Sequence, residues 1–211
     1  MPLCFDLDGT LGTFGGGYAL LRESLSELWG SPVEKAHLER CAGSTDWEIV
    51  DELHRLRFGR GLEDEDYEAF ERSCLLKFQS AFHTQGRSPL PHAGLIQGLS
   101  HLLDRGHAIW LVSGNSPAVL AFKSQALGLD PRIPLLGSLP RHDRADLIRR
   151  ALSGGSAPHL YVGDRPHDLQ AAREAGVPFL AVGDAVPGDH PMLSPEAESR
   201  ALIEAVERLF P

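Results

Sequence analysis

Apolar runs of strand length recur at residues 3–7, 108–112, 159–162 and 178–182, each ending in a polar or glycine turn and followed by helical spacing. That alternation predicts a parallel sheet with crossover helices. The runs are continuous, so both faces of the sheet are expected to be covered. A shorter run at 133–136, close behind Pro131, adds a further candidate strand. The intervening helices carry their own punctuation. Leu95, Leu99, Leu102 and Leu103 share one face of a helix that follows Pro91 and closes at Gly106. Ser116 and Pro117 read as N-cap and first residue of a helix ending at Gly128. Pro166 opens another, burying Leu169, Ala172 and Ala175 and closing at Gly176; Ser194 and Pro195 start the last, striped by Leu202, Ile203, Val206 and Leu209. The expected fold class is α/β, a doubly wound parallel sheet of Rossmann-like type.

Residues 13–84 interrupt the alternation, with no strand-like run and several helical stretches in succession. They read as an inserted α-helical cap on a core formed by residues 1–12 and 85–211. Thr45 and Glu48 form a capping-box pair ahead of Trp47, Val50 and Leu53. Asp64, Glu65 and Asp66 occupy the first turn of a later helix striped by Tyr67, Phe70, Cys74 and Phe78. Gly15, Gly16 and Gly17, where the chain leaves the core, serve either as a hinge or as a plain loop.

Charge and cysteine usage narrow the partners. With 20 Lys and Arg against 29 Asp and Glu, the net charge of −9 repels a polyphosphate backbone, so nucleic acid is not an expected partner. No window approaches the apolar length of a membrane span, and the first apolar run starts too early for a signal peptide. Cys4, Cys41 and Cys74 are odd in number and widely spaced, unlike a disulfide framework or a zinc site. The expectation is a cytoplasmic protein with mostly buried, reduced thiols.

The sharpest chemical signal is Asp6-Leu7-Asp8-Gly9-Thr10-Leu11, directly after the first apolar run. The carboxyl end of a central strand is where open α/β sheets bind ligands, and carboxylates at i and i+2 there share one small site. One is suited to attack phosphorus, the other to transfer a proton to the leaving oxygen. Asp-x-Asp alone is more often a solvated turn; the whole six-residue string argues for chemistry.

Here the chain resembles the phosphatase branch of the haloacid dehalogenase superfamily, whose first motif is Asp-x-Asp-Gly-Thr followed by Leu or Val. Trp110 to Val112 followed by Ser113, Gly114 and Asn115 is similar to its second motif, and Gly163, Asp164 and Asp168 to its Gly-Asp-x-x-x-Asp motif. The resemblance implies Asp6 as nucleophile and Asp8 as acid and base. Thr10, Ser113, Gly114 and Asn115 would lie around the phosphoryl group. Mg²⁺ would be held by Asp6, Asp164 and the backbone carbonyl of Asp8, with Asp168 on a metal-bound water. Oxygen-only ligands suit Mg²⁺ better than zinc. The family's third motif supplies a Lys where this chain has Arg144; Arg keeps the charge but is larger and planar. Arg141 is a second candidate, and Lys123, inside a helix, is expected to be structural. Phosphoglycolate phosphatase-like members carry a stretch similar to Gly43, Ser44, Thr45 and Asp46, which places Thr45 among the candidate substrate contacts. His37, His54, His83 and His92 lack metal-ligand spacing and read as surface residues.

The function expected from this resemblance is Mg²⁺-dependent hydrolysis of a small phosphorylated metabolite, phosphoglycolate-like or a sugar phosphate, through an aspartyl phosphate. The alternatives are a sugar phosphomutase, which uses the same core residues, and a non-catalytic phosphate-binding protein, for which the altered third motif speaks.

Overall fold

The computed structural model describes residues 2–153 and 160–209. Six parallel strands form one sheet: β1 (Pro2–Phe5), β4 (Ala108–Val112), β5 (Leu135–Leu136), β6 (Leu160–Gly163), β7 (Phe179–Val182) and β8 (Met192–Leu193). Their order is β5-β4-β1-β6-β7-β8. A minor antiparallel pair, β2 (Gly12–Thr13) with β3 (Leu90–Pro91), joins the two chain segments that lead out of and back into this sheet. The expected strands are present; His159 lies outside the described residues, and the 133–136 run contributes only the edge pair Leu135–Leu136.

The continuous apolar runs divide their residues between two faces. Leu3, Phe5, Ile109, Leu111, Leu160, Val162, Leu180 and Val182 pack on one side, with α5 (Ala93–Asp104) and α9 (Ser199–Leu209). Cys4, Val112, Tyr161 and Ala181 pack on the other, under α7 (Arg144–Leu152) and α8 (Pro166–Ala175). A strand's period of two thus produces two clusters from one unbroken run. The last helix begins at Ser199, not at Ser194. Ser194 instead closes a turn, accepting the Glu196 N–H at its hydroxyl and the Ala197 N–H at its carbonyl, which uses both groups before the helix starts.

Between β2 and β3 lie α1 (Gly17–Leu28), α2 (Lys35–Leu38), α3 (Asp46–Phe58) and α4 (Asp64–His83). They enclose a cluster of their own, centred on Leu25, Val50, Phe70, Cys74 and Phe78, which also takes in Val119 of α6 (Pro117–Ala126). The Thr45 capping box forms as expected: its hydroxyl accepts the Glu48 N–H and the Glu48 carboxylate accepts the Thr45 N–H. The cysteines are free thiols; Cys4 and Cys74 are buried. Among the described residues, no helix is long and apolar enough to cross a membrane.

Candidate active site

Strand β1 lies between β4 and β6, the neighbours from which the chain order runs outward in both directions. This switch point leaves a crevice at the carboxyl ends of the strands. Asp6 stands there, buried, with its N–H bonded to the Val162 carbonyl at 2.9 Å. The following turn doubles back at Gly9, where φ is +83°. A Cβ at this position would stand 2.1 Å from Asp164 Oδ2, so a glycine is what lets the turn close against β6. Thr10 is buried behind it and donates to Asp164 Oδ1 at 3.4 Å.

Arg144 reaches this crevice from the first residue of α7, whose N-cap Asp143 accepts the Asp146 N–H. Its buried guanidinium donates through Nη1 to Asp6 Oδ1 at 3.0 Å and Asp168 Oδ1 at 2.9 Å, and through Nη2 to the Ser44 carbonyl at 2.7 Å. One planar fork therefore spans the core carboxylates and the helical segment, a reach that a single ammonium lacks. The Tyr161 hydroxyl completes the cluster, 3.3 Å from Arg144 Nη1 and 3.2 Å from Asp168 Oδ1. Burial works against the charge on Arg144, but Tyr161, Asp168 and Asp6 hold it protonated more firmly than usual. Arg141 points elsewhere, 63% exposed and paired with Asp64 at 3.0 Å.

Asp6, Asp164 and Asp168 each offer an oxygen within 4.8 Å of the others. Burial, then the neighbouring Asp168 charge, pushes Asp6 well above the carboxylate range against the pull of Arg144. Burial raises Asp164 to about 6. Asp168 is tied down on both oxygens, its Oδ2 accepting the N–H groups of Asp164 and Arg165. Three carboxyl groups held this close, with ionisation of two resisted, form an anionic all-oxygen donor set that a hard cation would relieve. The Asp8 side chain is outside that set. It turns towards α6, accepting Asn115 Nδ2 at 2.6 Å and Lys123 Nζ at 2.9 and 2.7 Å.

Ser113 follows β4; its hydroxyl accepts Asn115 Nδ2 at 2.8 Å. Gly114 lies under the helical segment: its carbonyl accepts the Asp46 N–H at 2.7 Å, and a Cβ there would stand 2.3 Å from the Ser44 oxygen. Asp6, Asp8, Ser113, Gly114, Asn115 and Arg144 line a cavity of about 630 Å³ together with Phe14, Leu21, Ile49 and Phe78, whereas Thr10, Tyr161, Asp164 and Asp168 stand behind that lining. Ser44 and Asp46 line it, whereas Thr45 is buried in its capping box outside the lining and Trp47 packs among the helices. At the mouth stand Arg165 and His167; burial and Arg144 lower His167 to about 4.

Two residues escape sequence reasoning. Tyr161 reads as ordinary strand core, and nothing local marks its hydroxyl as part of the cluster. Lys123 left a signal in its charge four residues after apolar Val119, on a helix otherwise rich in apolar residues and in a chain with very few lysines. Expected to be structural, it stands at the site itself, bonded to both Asp8 oxygens and to Asn115. His54 also departs from expectation: it is buried, with Nδ1 3.0 Å from the Arg60 carbonyl.

A haloacid dehalogenase-like hydrolase family profile matches residues 3–182. The chain is 28% identical to an N-acetylmuramic acid 6-phosphate phosphatase of Pseudomonas putida, over 89% of this chain and 85% of that protein. It is 27% identical to a phosphoglycolate phosphatase of Mesorhizobium japonicum, over 85% and 81%. In fold it is similar to a hydrolase from Pseudomonas syringae, with a TM-score of 0.70, 20% identity and coverage of 99% and 98%. The family match spans all three strand ends that carry the site, and the chain belongs to the haloacid dehalogenase-like hydrolases.

Proposed function

We propose that this hydrolase is a Mg²⁺-dependent phosphatase acting on a small phosphate monoester through a phosphorylated Asp6. The observation that carries the reading is the buried Asp6 carboxylate at the switch point, against Arg144, with Asp8 facing the same cavity. An Asp6 oxygen attacks phosphorus and the bond to the leaving oxygen breaks, with Asp8 donating the proton that oxygen needs. Asp8 then takes a proton from water as the water oxygen attacks the same phosphorus, which frees phosphate and restores Asp6. Ser113, the Gly114 N–H and Arg144 surround the phosphoryl oxygens, and Asn115 bridges them to Asp8, whereas Thr10, expected beside the phosphoryl group, is fully buried outside the cavity lining and supports Asp164 instead.

The donor set fits Mg²⁺, with Asp6, Asp164 and the Asp8 carbonyl as ligands and Asp168 behind them. Bound there, the cation offsets the carboxylate charge that would otherwise repel a phosphate dianion. Residues 13–84 act as a cap that sets substrate choice and excludes water, on a core of residues 1–12 and 85–211. A cavity of about 630 Å³ is larger than a two-carbon leaving group fills, which favours a metabolite of sugar-phosphate size. The free thiols suit a reducing compartment, and we place the protein in the cytoplasm.

The test is phosphate release from a panel of phosphorylated metabolites, with Mg²⁺ and with EDTA. Turnover is expected with the metal, strongest on sugar-phosphate-sized esters, and silent in chelator. Asp6→Asn should lose about 10⁴-fold or more at unchanged fold. Phosphate binding without release from any ester, or full activity in chelator, overturns the reading.

A further inference from the structure

Lys123 places an ammonium where helix α6 would be more comfortable with a hydrocarbon. The side chain is 3% exposed, and Nζ lies 5.1 Å from the Phe14 ring centroid and 4.7 Å from that of Phe78. Its three donors are all committed: two to the Asp8 oxygens at 2.9 and 2.7 Å and one to Asn115 Oδ1 at 2.8 Å. Asn115 closes the triangle through Nδ2 to Asp8 Oδ2 at 2.6 Å. Asp8 is thereby held by two residues from the α6 side, apart from the oxygen cluster of Asp6, Asp164 and Asp168.

Desolvating an ammonium costs several kcal/mol, and replacing both partners of a buried ion pair by apolar residues commonly leaves a protein as stable or more so, so the Asp8–Lys123 pair as a whole is not explained by stability. We infer that Lys123, with Asn115, is a positioning residue that fixes the Asp8 carboxyl group towards the leaving-group side of the cavity. Without this clamp, Asp8, whose side chain is 37% exposed, is free to take other rotamers, and proton delivery to the leaving oxygen becomes intermittent. The inference rests on the reading of Asp8 as the general acid.

Leaving groups of different acidity test it. A dinitrophenolate departs with little help from an acid, whereas an alkoxide needs a proton. The quantity to compare is kcat/KM, which reports steps only up to departure of the leaving group, in the Mg²⁺-loaded enzyme. For Lys123→Met, kcat/KM on an alkyl phosphate should fall at least about 10-fold more than on 2,4-dinitrophenyl phosphate. Asp8→Asn should show the same selectivity, and the double variant should lose little beyond Asp8→Asn alone. The Lys123→Met unfolding midpoint should change little or fall modestly, because a buried ammonium is gone but the part-exposed Asp8 carboxylate loses its partner. Lys123→Gln repeats the comparison with a polar side chain, and its rate on the aryl ester verifies that the variant is folded. Equal losses on both esters, a rise in KM alone, or a lowered midpoint with no selectivity would overturn the positioning role. If Asp8→Asn itself shows no selectivity, the fault lies with the assignment of the acid, and the clamp proposal falls with it.

Discussion

The strand ends of the sheet and the helices packed over them hold their polar groups by different means. Asp6 and Asp8 follow β1, which is paired in register on both sides and anchored in separate apolar clusters above and below. The helical segment meets this platform through apolar packing of α4 on α6, where Phe82 meets Phe122 and the Ala118 N–H donates to Glu71, and through hydrogen bonds of residues 44–47. The Ser44 carbonyl accepts Arg144 Nη2, the Asp46 N–H donates to Gly114, the Trp47 N–H donates to Ser138 Oγ, and the Asp46 carboxylate accepts the Ser116 N–H. Backbone fixed from several directions keeps reacting groups in place before substrate arrives. The hydrogen bonds of this seam, each worth about 1 kcal/mol net, are few beside the paired backbone of the strands.

Arg144 belongs to both regions, and its removal should have the largest effect. Arg144→Ala should lower kcat/KM about 10²-fold or more, because Asp6 and the transferring phosphoryl group lose their fixed cation. Arg144→Lys should recover most of that loss if charge at Asp6 is what matters, while giving up the bond to Ser44. A lysine variant as poor as the alanine one would show that the tie to the helices, not the charge, is what catalysis needs.

Asp46 probes the seam through pH. Burial raises it from 3.8 to about 6, outweighing the Ser116 N–H and Lys123. A carboxyl whose pKa is higher in the folded state holds its proton more tightly there, so its contribution to stability is present below about pH 4 and lost as pH rises towards 6. Urea unfolding of wild type and Asp46→Asn should therefore diverge between these values, the amide variant gaining relative stability, and run parallel above them. An amide oxygen still accepts the Ser116 N–H, so a uniform offset with no pH dependence would refute the buried-carboxyl account.

The smallest effect is expected at Thr45. Thr45→Ala removes the N-cap of α3 and should cost about 1 kcal/mol in unfolding free energy, with only a minor change in kcat/KM. A loss in kcat/KM that exceeds the stability change would move Thr45 from scaffold to substrate contact.

Much of this arrangement is legible without coordinates, because it is written in local periodicity. Continuous apolar runs, proline and glycine punctuation and the Thr45–Glu48 pair specify strands, helices and caps over distances of a few residues. Ordering of those strands also brings Asp6, Ser113 and Asp164 to one edge, since parallel crossovers place successive carboxyl ends on the same side. Other features depend on meetings between residues far apart in the chain, which no local pattern encodes. Lys123 and Asp8 are separated by 115 positions, and Arg144 and Ser44 by 100. Tyr161 looks like any buried strand aromatic until Arg144 and Asp168 are seen at its hydroxyl. The choice between Arg144 and Arg141 turns on which side of the α7 N-terminus faces the sheet, and that Ser44 and Asp46 line the cavity while Thr45 does not turns on how α3 docks. Sequence sets which face of an element is apolar; packing of whole elements decides which polar atoms that burial brings together, and at what distance.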